Sequence, residues 1–162
     1  MNETDEFSAF DRPTSTLIEH IFLRYHETHR RELPDLIVLA HEVETFHAND
    51  PNAPHGLTQA LQIFLAEFNA HMSEEESVIL ATFDYMHSTK GVTPIAWFRD
   101  DHLRHEAAMN KIAAITHGFK LPSYSCVAWT RLYSGLRKLV YDLEEHFFIE
   151  NNILFPRLEA KL

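Results

Sequence analysis

Four histidines, His26, His71, His102 and His146, and two glutamates, Glu75 and Glu150, are the residues of this chain whose types and spacing point to chemistry. Each glutamate follows a histidine by four residues, so on a helix the imidazole and the carboxylate share one face. The midpoint between 26 and 71 falls in Ala48-Asn49-Asp50-Pro51-Asn52, and that between 71 and 102 beside His87-Ser88-Thr89-Lys90-Gly91. The midpoint between 102 and 146 falls in Leu121-Pro122-Ser123-Tyr124-Ser125. Each is a run of turn-forming residues. In an up-down-up-down bundle, residues equidistant from a turn lie at one height. Four imidazoles at a common level with two carboxylates one turn away would form a ligand set for two metal ions. Imidazole and carboxylate suit iron, zinc or manganese, and the lack of thiolates excludes zinc-ribbon and iron–sulfur sites.

The elements that must position these residues read as helices. Thr16 and Glu19 offer a capping box ahead of Leu17, Ile18, Ile21 and Phe22, and apolar spacing continues to Val43. Pro34 is expected to kink or split this first helix. Ala48 to His55 reads as a loop. A second helix is predicted from about Gly56 to Met86, with Leu57, Leu61, Phe64, Leu65 and Phe68 on one stripe. After a loop from Ser88 to Thr93, Pro94 suits the first turn of a third helix, which stops near His117-Gly118. Leu121 to Ser125 is the next turn, and the fourth helix runs from Trp129 towards Pro156, which ends or kinks it late. Trp97, Trp129 and the phenylalanines are expected in the core. The expected fold is all-α, an antiparallel four-helix bundle, with residues 1–12 a flexible leader and 13–162 one domain.

Composition excludes several classes. A formal charge of −10 argues against a nucleic-acid partner, which needs a basic face. The single cysteine, Cys126, cannot form an intramolecular disulfide and fits a reducing compartment. The acidic start MNETDEFSAF does not read as a signal peptide, and no run of 18 apolar residues exists. The expected location is the cytoplasm, with no membrane partner.

At these residues the sequence resembles the hemerythrin-like domain of the bacterial repair-of-iron-centres family, associated with nitric oxide and oxidative stress. The resemblance is carried by Arg24-Tyr25-His26-Glu27-Thr28-His29-Arg30 with Leu33-Pro34, by His71-Met72 with Glu75-Glu76, and above all by His146 with Glu150-Asn151-Asn152-Ile153-Leu154-Phe155-Pro156-Arg157. It covers about Leu17 to Arg157. It implies a hemerythrin-like bundle with two non-haem iron ions, oxo- or hydroxo-bridged, held by His26, His71, Glu75, His102, His146 and Glu150, with both glutamates as bridges. It also implies binding or reduction of nitric oxide, or iron supply to damaged iron–sulfur proteins. Alternatives are a module that binds dioxygen or nitric oxide without turnover, and iron storage or delivery. Against storage, ferritins place Glu before His at i,i+3, the reverse of the order here.

Three departures from the family pattern bear on these expectations. Full-length members usually carry a small N-terminal domain with a cysteine pair, whereas here only a short leader precedes the bundle. Where the family has Leu-Phe-Pro after the first ligand glutamate, this chain reads Ile79-Leu80-Ala81-Thr82-Phe83, so the second helix can run on. His105 follows His102 by three residues, and it either faces the same cavity or a neighbouring helix. The family also tends to have a histidine at position 47. His47 nevertheless lies about 31 Å beyond His26 along an unbroken helix at 1.5 Å per residue, so it is left out of the ligand set. His20, His41, His55, His87 and His117 are expected to face solvent or cap helices. Glu74, Glu76, Glu144 and Glu145 are expected to form an acidic face, some of them supporting ligand imidazoles. Tyr25 and Tyr133 could approach the centre.

Overall fold

The structure is a computed structural model, and it describes residues 9–85 and 95–160. The regular elements among these residues are helices: α1 (Thr14–Ile21), α2 (Glu27–Phe46), α3 (Leu57–Tyr85), α4 (Ala96–Ile115), α5 (Val127–Ile149) and α6 (Phe155–Glu159). A π-helical segment, Phe22–His26, joins α1 to α2, and a second, Glu150–Leu154, joins α5 to α6. The widened turns are closed by i→i+5 bonds, from Glu27 N–H to the Phe22 carbonyl and from Phe155 N–H to the Glu150 carbonyl. Two long rods therefore run without a break through α1–α2 and α5–α6.

α2 packs on α3 and α5, and α3 packs on α4. Between the first rod and α5, Arg24 meets Asp142, Glu32 meets Lys138 and His47 meets Cys126, so partner numbers fall as the chain advances. The same holds between α2 and α3, where Arg30 meets Glu76 and Glu44 meets Thr58. Each of these two helix pairs runs in opposite directions.

Apolar residues form two cores. One contains Leu33, Leu36, Val43, Leu61, Phe64, Phe68, Trp129 and Leu136. The other contains Leu17, Ile21, Ile79, Phe98, Ile153, Phe155 and Leu158. Each fully buried Leu or Phe contributes about 1.5–3 kcal/mol. On every long helix the ligand-type residues fall where the chain passes from one core to the other: His26 between Ile21 and Leu33, His71 and Glu75 between Phe68 and Ile79, His102 between Phe98 and Met109, and His146 and Glu150 between Leu143 and Ile153. A polar layer is thus sealed between two dry ones.

Several local expectations change. The helix starts at Thr14 with Pro13 before it and no side-chain cap, so Thr16 and Glu19 form no capping box. Pro34 lies inside α2 without dividing it, and the irregularity falls earlier, at Phe22–His26. Pro156 follows directly on the second widened turn, in the first turn of α6, and the rod continues to Glu159. α3 passes through Ile79 to Phe83 unbroken. α4 ends as expected at His117 and Gly118, both in the left-handed region with φ of 53° and 69°. The Thr116 hydroxyl closes that end by donating to the Ile112 carbonyl and accepting from Phe119 N–H. Trp129 is fully buried, whereas Trp97 is 37% exposed and belongs to neither core. Ala9 is buried, and Arg157 donates to the carbonyls of Phe10 and Arg12. The expected loop from Ser88 to Thr93, with His87 and Pro94, lies outside the described residues.

Candidate metal centre

His26 ends the first π-helical segment and Glu150 opens the second, while His71 and Glu75 lie on α3, His102 on α4 and His146 on α5. All six side chains are buried, none more than 2% exposed. Their Nε2 and carboxylate oxygens converge. Glu75 Oε2 lies 3.5 Å from His26 Nε2 and 3.6 Å from His71 Nε2, and its Oε1 lies 3.6 Å from His102 Nε2. Glu150 Oε1 lies 2.8 Å from His146 Nε2 and 3.5 Å from His26 Nε2, and its Oε2 lies 3.3 Å from His102 Nε2. Each carboxylate therefore reaches both the His26–His146 side and the His102 side. Ligand-type atoms of His26, Glu75, His146 and Glu150 fall within 4.8 Å of one another, as do those of His71, Glu75 and His102. The two groups share Glu75.

The donor set fits metal ions. His71 Nε2, His102 Nε2, both oxygens of Glu75 and Glu150 Oε2 have no hydrogen-bond partner despite full burial. Buried polar atoms without partners are costly, and a cation among them removes that cost. Electrostatics agree. Burial alone would raise both carboxyls and lower every imidazole. Yet the surrounding imidazoles hold the Glu150 carboxyl well below its usual range and Glu75 below it. Burial pulls His102 down, but Glu150 and Glu75 outweigh it and raise it to about 10. His26 is raised well above its usual value in the same way. His146, with burial dominant, is lowered.

Three of the imidazoles are fixed from behind. His26 Nδ1 lies 2.7 Å from Glu76 Oε1, His71 Nδ1 2.8 Å from Asp101 Oδ2, and His102 Nδ1 2.9 Å from Asn151 Oδ1. An acceptor on Nδ1 places the ring proton there and leaves Nε2 free to coordinate. Each brace is the sequence neighbour of a ligand-type residue on a different helix: Glu76 follows Glu75, Asp101 precedes His102, and Asn151 follows Glu150. One residue along a helix is a rotation of about 100°, enough to turn a side chain from the centre to the adjacent helix. Glu76 was expected on the acidic face. It is the member of that face that supports a ligand imidazole, bonded to both His26 and Arg30, which bring its carboxyl down to about 2 against burial.

The chain matches the hemerythrin HHE cation-binding domain over residues 17–159. It belongs to that family. Among individual hemerythrin-domain proteins, it is 35% identical over 148 residues to the iron–sulfur cluster repair proteins YtfE of Salmonella paratyphi B and Salmonella newport. It is 36% identical over the same length to the protein of that name from Escherichia coli O81. In each case the match covers 91% of this chain and 67% of the relative.

Other residues of this hemerythrin domain sort clearly. His47 stands at the far end of α2, its Nε2 3.4 Å from Cys126 Sγ and its ring 4.8 Å from Trp129, and it belongs to neither ligand group. His105 is buried beside the centre, its Nε2 3.4 Å from Asp101 and its ring 4.9 Å from His71, so it can form a third group with those two. Burial lowers it to about 4. Tyr25 stacks on His146 at 5.2 Å, whereas Tyr133 lies in the core that contains Trp129. His41, His55, His117, Glu74 and Glu144 are exposed, while His20 is half-buried in edge contact with Tyr25. Asp101, Asn151 and His29 escaped sequence reading. For the first two a signal was present, a polar residue beside a ligand-type residue on a helix. None of the described helices is long and apolar enough to cross a membrane.

Proposed function

We propose that His26, His71, His102 and His146, with Glu75 and Glu150 as bridges, hold two iron ions, and that this centre serves cytoplasmic repair of iron–sulfur proteins damaged by nitrosative or oxidative stress. The repair role follows the names of the similar proteins. The observation that carries the centre is the pair of fully buried carboxylates, each within 3.6 Å of imidazoles on both sides. Bound iron would supply electrons and open coordination positions for a small ligand such as nitric oxide or dioxygen. The residues supply the rest. Glu76, Asp101 and Asn151 hold three imidazoles in one tautomer, and the rings of Phe68, Phe98, Phe147 and Phe155 wall the layer against water.

Anaerobic ferrous loading followed by elemental analysis should approach two irons per chain. Nitric oxide titration with detection of nitrous oxide, and transfer of iron to an apo iron–sulfur protein, then separate reduction from donation. Saturation at one iron, or native zinc, would overturn the di-iron reading.

A further inference from the structure

Three imidazoles of the centre have an acceptor behind them, and among the described residues His146 has none. Its Nδ1 is buried and unpartnered, while its Nε2 faces Glu150. If Nε2 coordinates a metal, the ring proton sits on Nδ1, and a buried N–H needs an acceptor. The braces run from α2 to α3, from α3 to α4, and from α4 to the segment after α5. The edge left open is the return from α5 to α2.

The side chains around His146 on that edge are few. Tyr25 stacks on its ring at 5.2 Å, but the Tyr25 hydroxyl is directed to Glu145. The nitrogens of His26 face Glu76 and His146 Nε2. Phe68 and Phe147 have no acceptor atom. His29, one turn beyond His26 on α2, is 1% exposed, and its ring lies 5.3 Å from that of His146 with 27° between the planes. Neither of its nitrogens has a partner. An imidazole buried against a ligand imidazole with both nitrogens unused is a missing acceptor beside a missing donor.

We infer that His29 is the positioning residue for His146, accepting its Nδ1–H directly or through one water. This rests on the proposed metal centre. It gives each side of the centre the same support: Glu76 and His29 behind His26 and His146, Asp101 and Asn151 behind His71 and His102. Each pair then combines one carboxylate with one neutral acceptor.

The test uses the full chain loaded anaerobically with ferrous iron, and a parallel sample loaded with cobalt(II). Chelator competition reads affinity, and proton NMR of the cobalt form reads the shifted, exchangeable imidazole N–H signals. His29→Phe keeps the ring and removes the acceptor. It should weaken binding about 10- to 100-fold and speed solvent exchange of one N–H signal only. His29→Gln restores an acceptor and should return both towards wild type. Unchanged affinity and exchange in His29→Phe would overturn the inference. So would equal losses in His29→Gln and His29→Phe at wild-type helix content, and that comparison with His29→Gln and His29→Leu decides the matter if His29→Phe does not fold. A wild-type chain that takes up no metal would overturn the centre itself, a result distinct from a loaded wild type with silent His29 variants.

Discussion

Replacing Glu75 by Gln removes one charge and almost no volume. Glu75 is fully buried, and its oxygens lie 3.5–3.6 Å from the Nε2 atoms of His26, His71 and His102. Any cation held by those nitrogens sits inside the same cluster. At about 4 Å and an effective dielectric constant of about 20, one unit charge is worth about 4 kcal/mol. That is a loss of about 10³-fold in affinity for at least one of two ions. The metal-free protein should respond differently. Among the described residues neither oxygen of Glu75 has a hydrogen-bond partner, and a neutral amide costs less to bury in that state than a carboxylate. Loss of the partner that raises His26 and His102 acts the other way. The two changes offset, so metal-free Glu75→Gln should melt within a few degrees of wild type. Ferrous titration under argon, elemental analysis after desalting and circular dichroism melts of the metal-free form test both halves. Two irons retained at wild-type affinity would remove Glu75 from the centre. Collapse of the metal-free variant would show that the carboxylate supports the fold rather than a metal.

Other expected outcomes follow from the same geometry. His26→Leu should lower iron content and change the visible spectrum of the ferric form, whereas His47→Leu, at the bundle end beside Cys126, should leave both near wild type. Asp142 is buried between Arg24 at 2.8 Å and Lys138 at 2.6 Å, which lower its carboxyl against burial; because both cations are more than a third exposed, Asp142→Asn should cost only about 1–2 kcal/mol, or about 3–6 °C in melting temperature. A depressed folded pKa stabilises above the unfolded Asp value of about 3.9 and loses that effect as pH falls through the folded value, so wild type and Asp142→Asn should converge in acid. Deleting Leu23, 63% exposed in the first π-helical segment, should turn α1 by about 100° against α2 and abolish either metal loading or the packing of Leu17 and Ile21, read by iron content and thermal melts; wild-type values for both would show that the widened turn positions nothing.

Much of this was legible because helical spacing and turn position are one-dimensional signals. The runs after Val43, around Gly118 and around Pro122 fix where rods end, and equal distances from those ends fix which residues share a height. The four histidines converge for that reason. The π-helical turns left no such trace. Phe22–His26 and Glu150–Leu154 read as ordinary helix, and Pro34 looked like the natural place for a break. Proline disturbs a helix through its missing N–H and its ring. A π turn is instead a matter of which face must meet which partner, and that is set in three dimensions. Trp97 failed likewise: its type suggested core, but its place near the start of α4 leaves it at the surface.

The two widened turns stand where the helices need them. His26 closes one and Glu150 opens the other, and both residues contribute to the same ligand group. An ideal helix advances about 100° per residue, so a single extra residue re-aims everything beyond it. In the first rod this lets Leu17 and Ile21 enter one core while Leu33 and Leu36 enter the other, with His26 between them facing the carboxylates. In the second rod it lets Leu143 and Ile153 do the same around His146 and Glu150, and it brings Asn151 onto His102. α3 and α4 need no such turn, because each supplies its ligand-type residues and its brace from regular helical positions: Glu75 beside Glu76, and His102 beside Asp101. Among the described helices the widened turns are confined to these two rods, while α3 and α4 cross the same two cores and polar layer on regular turns.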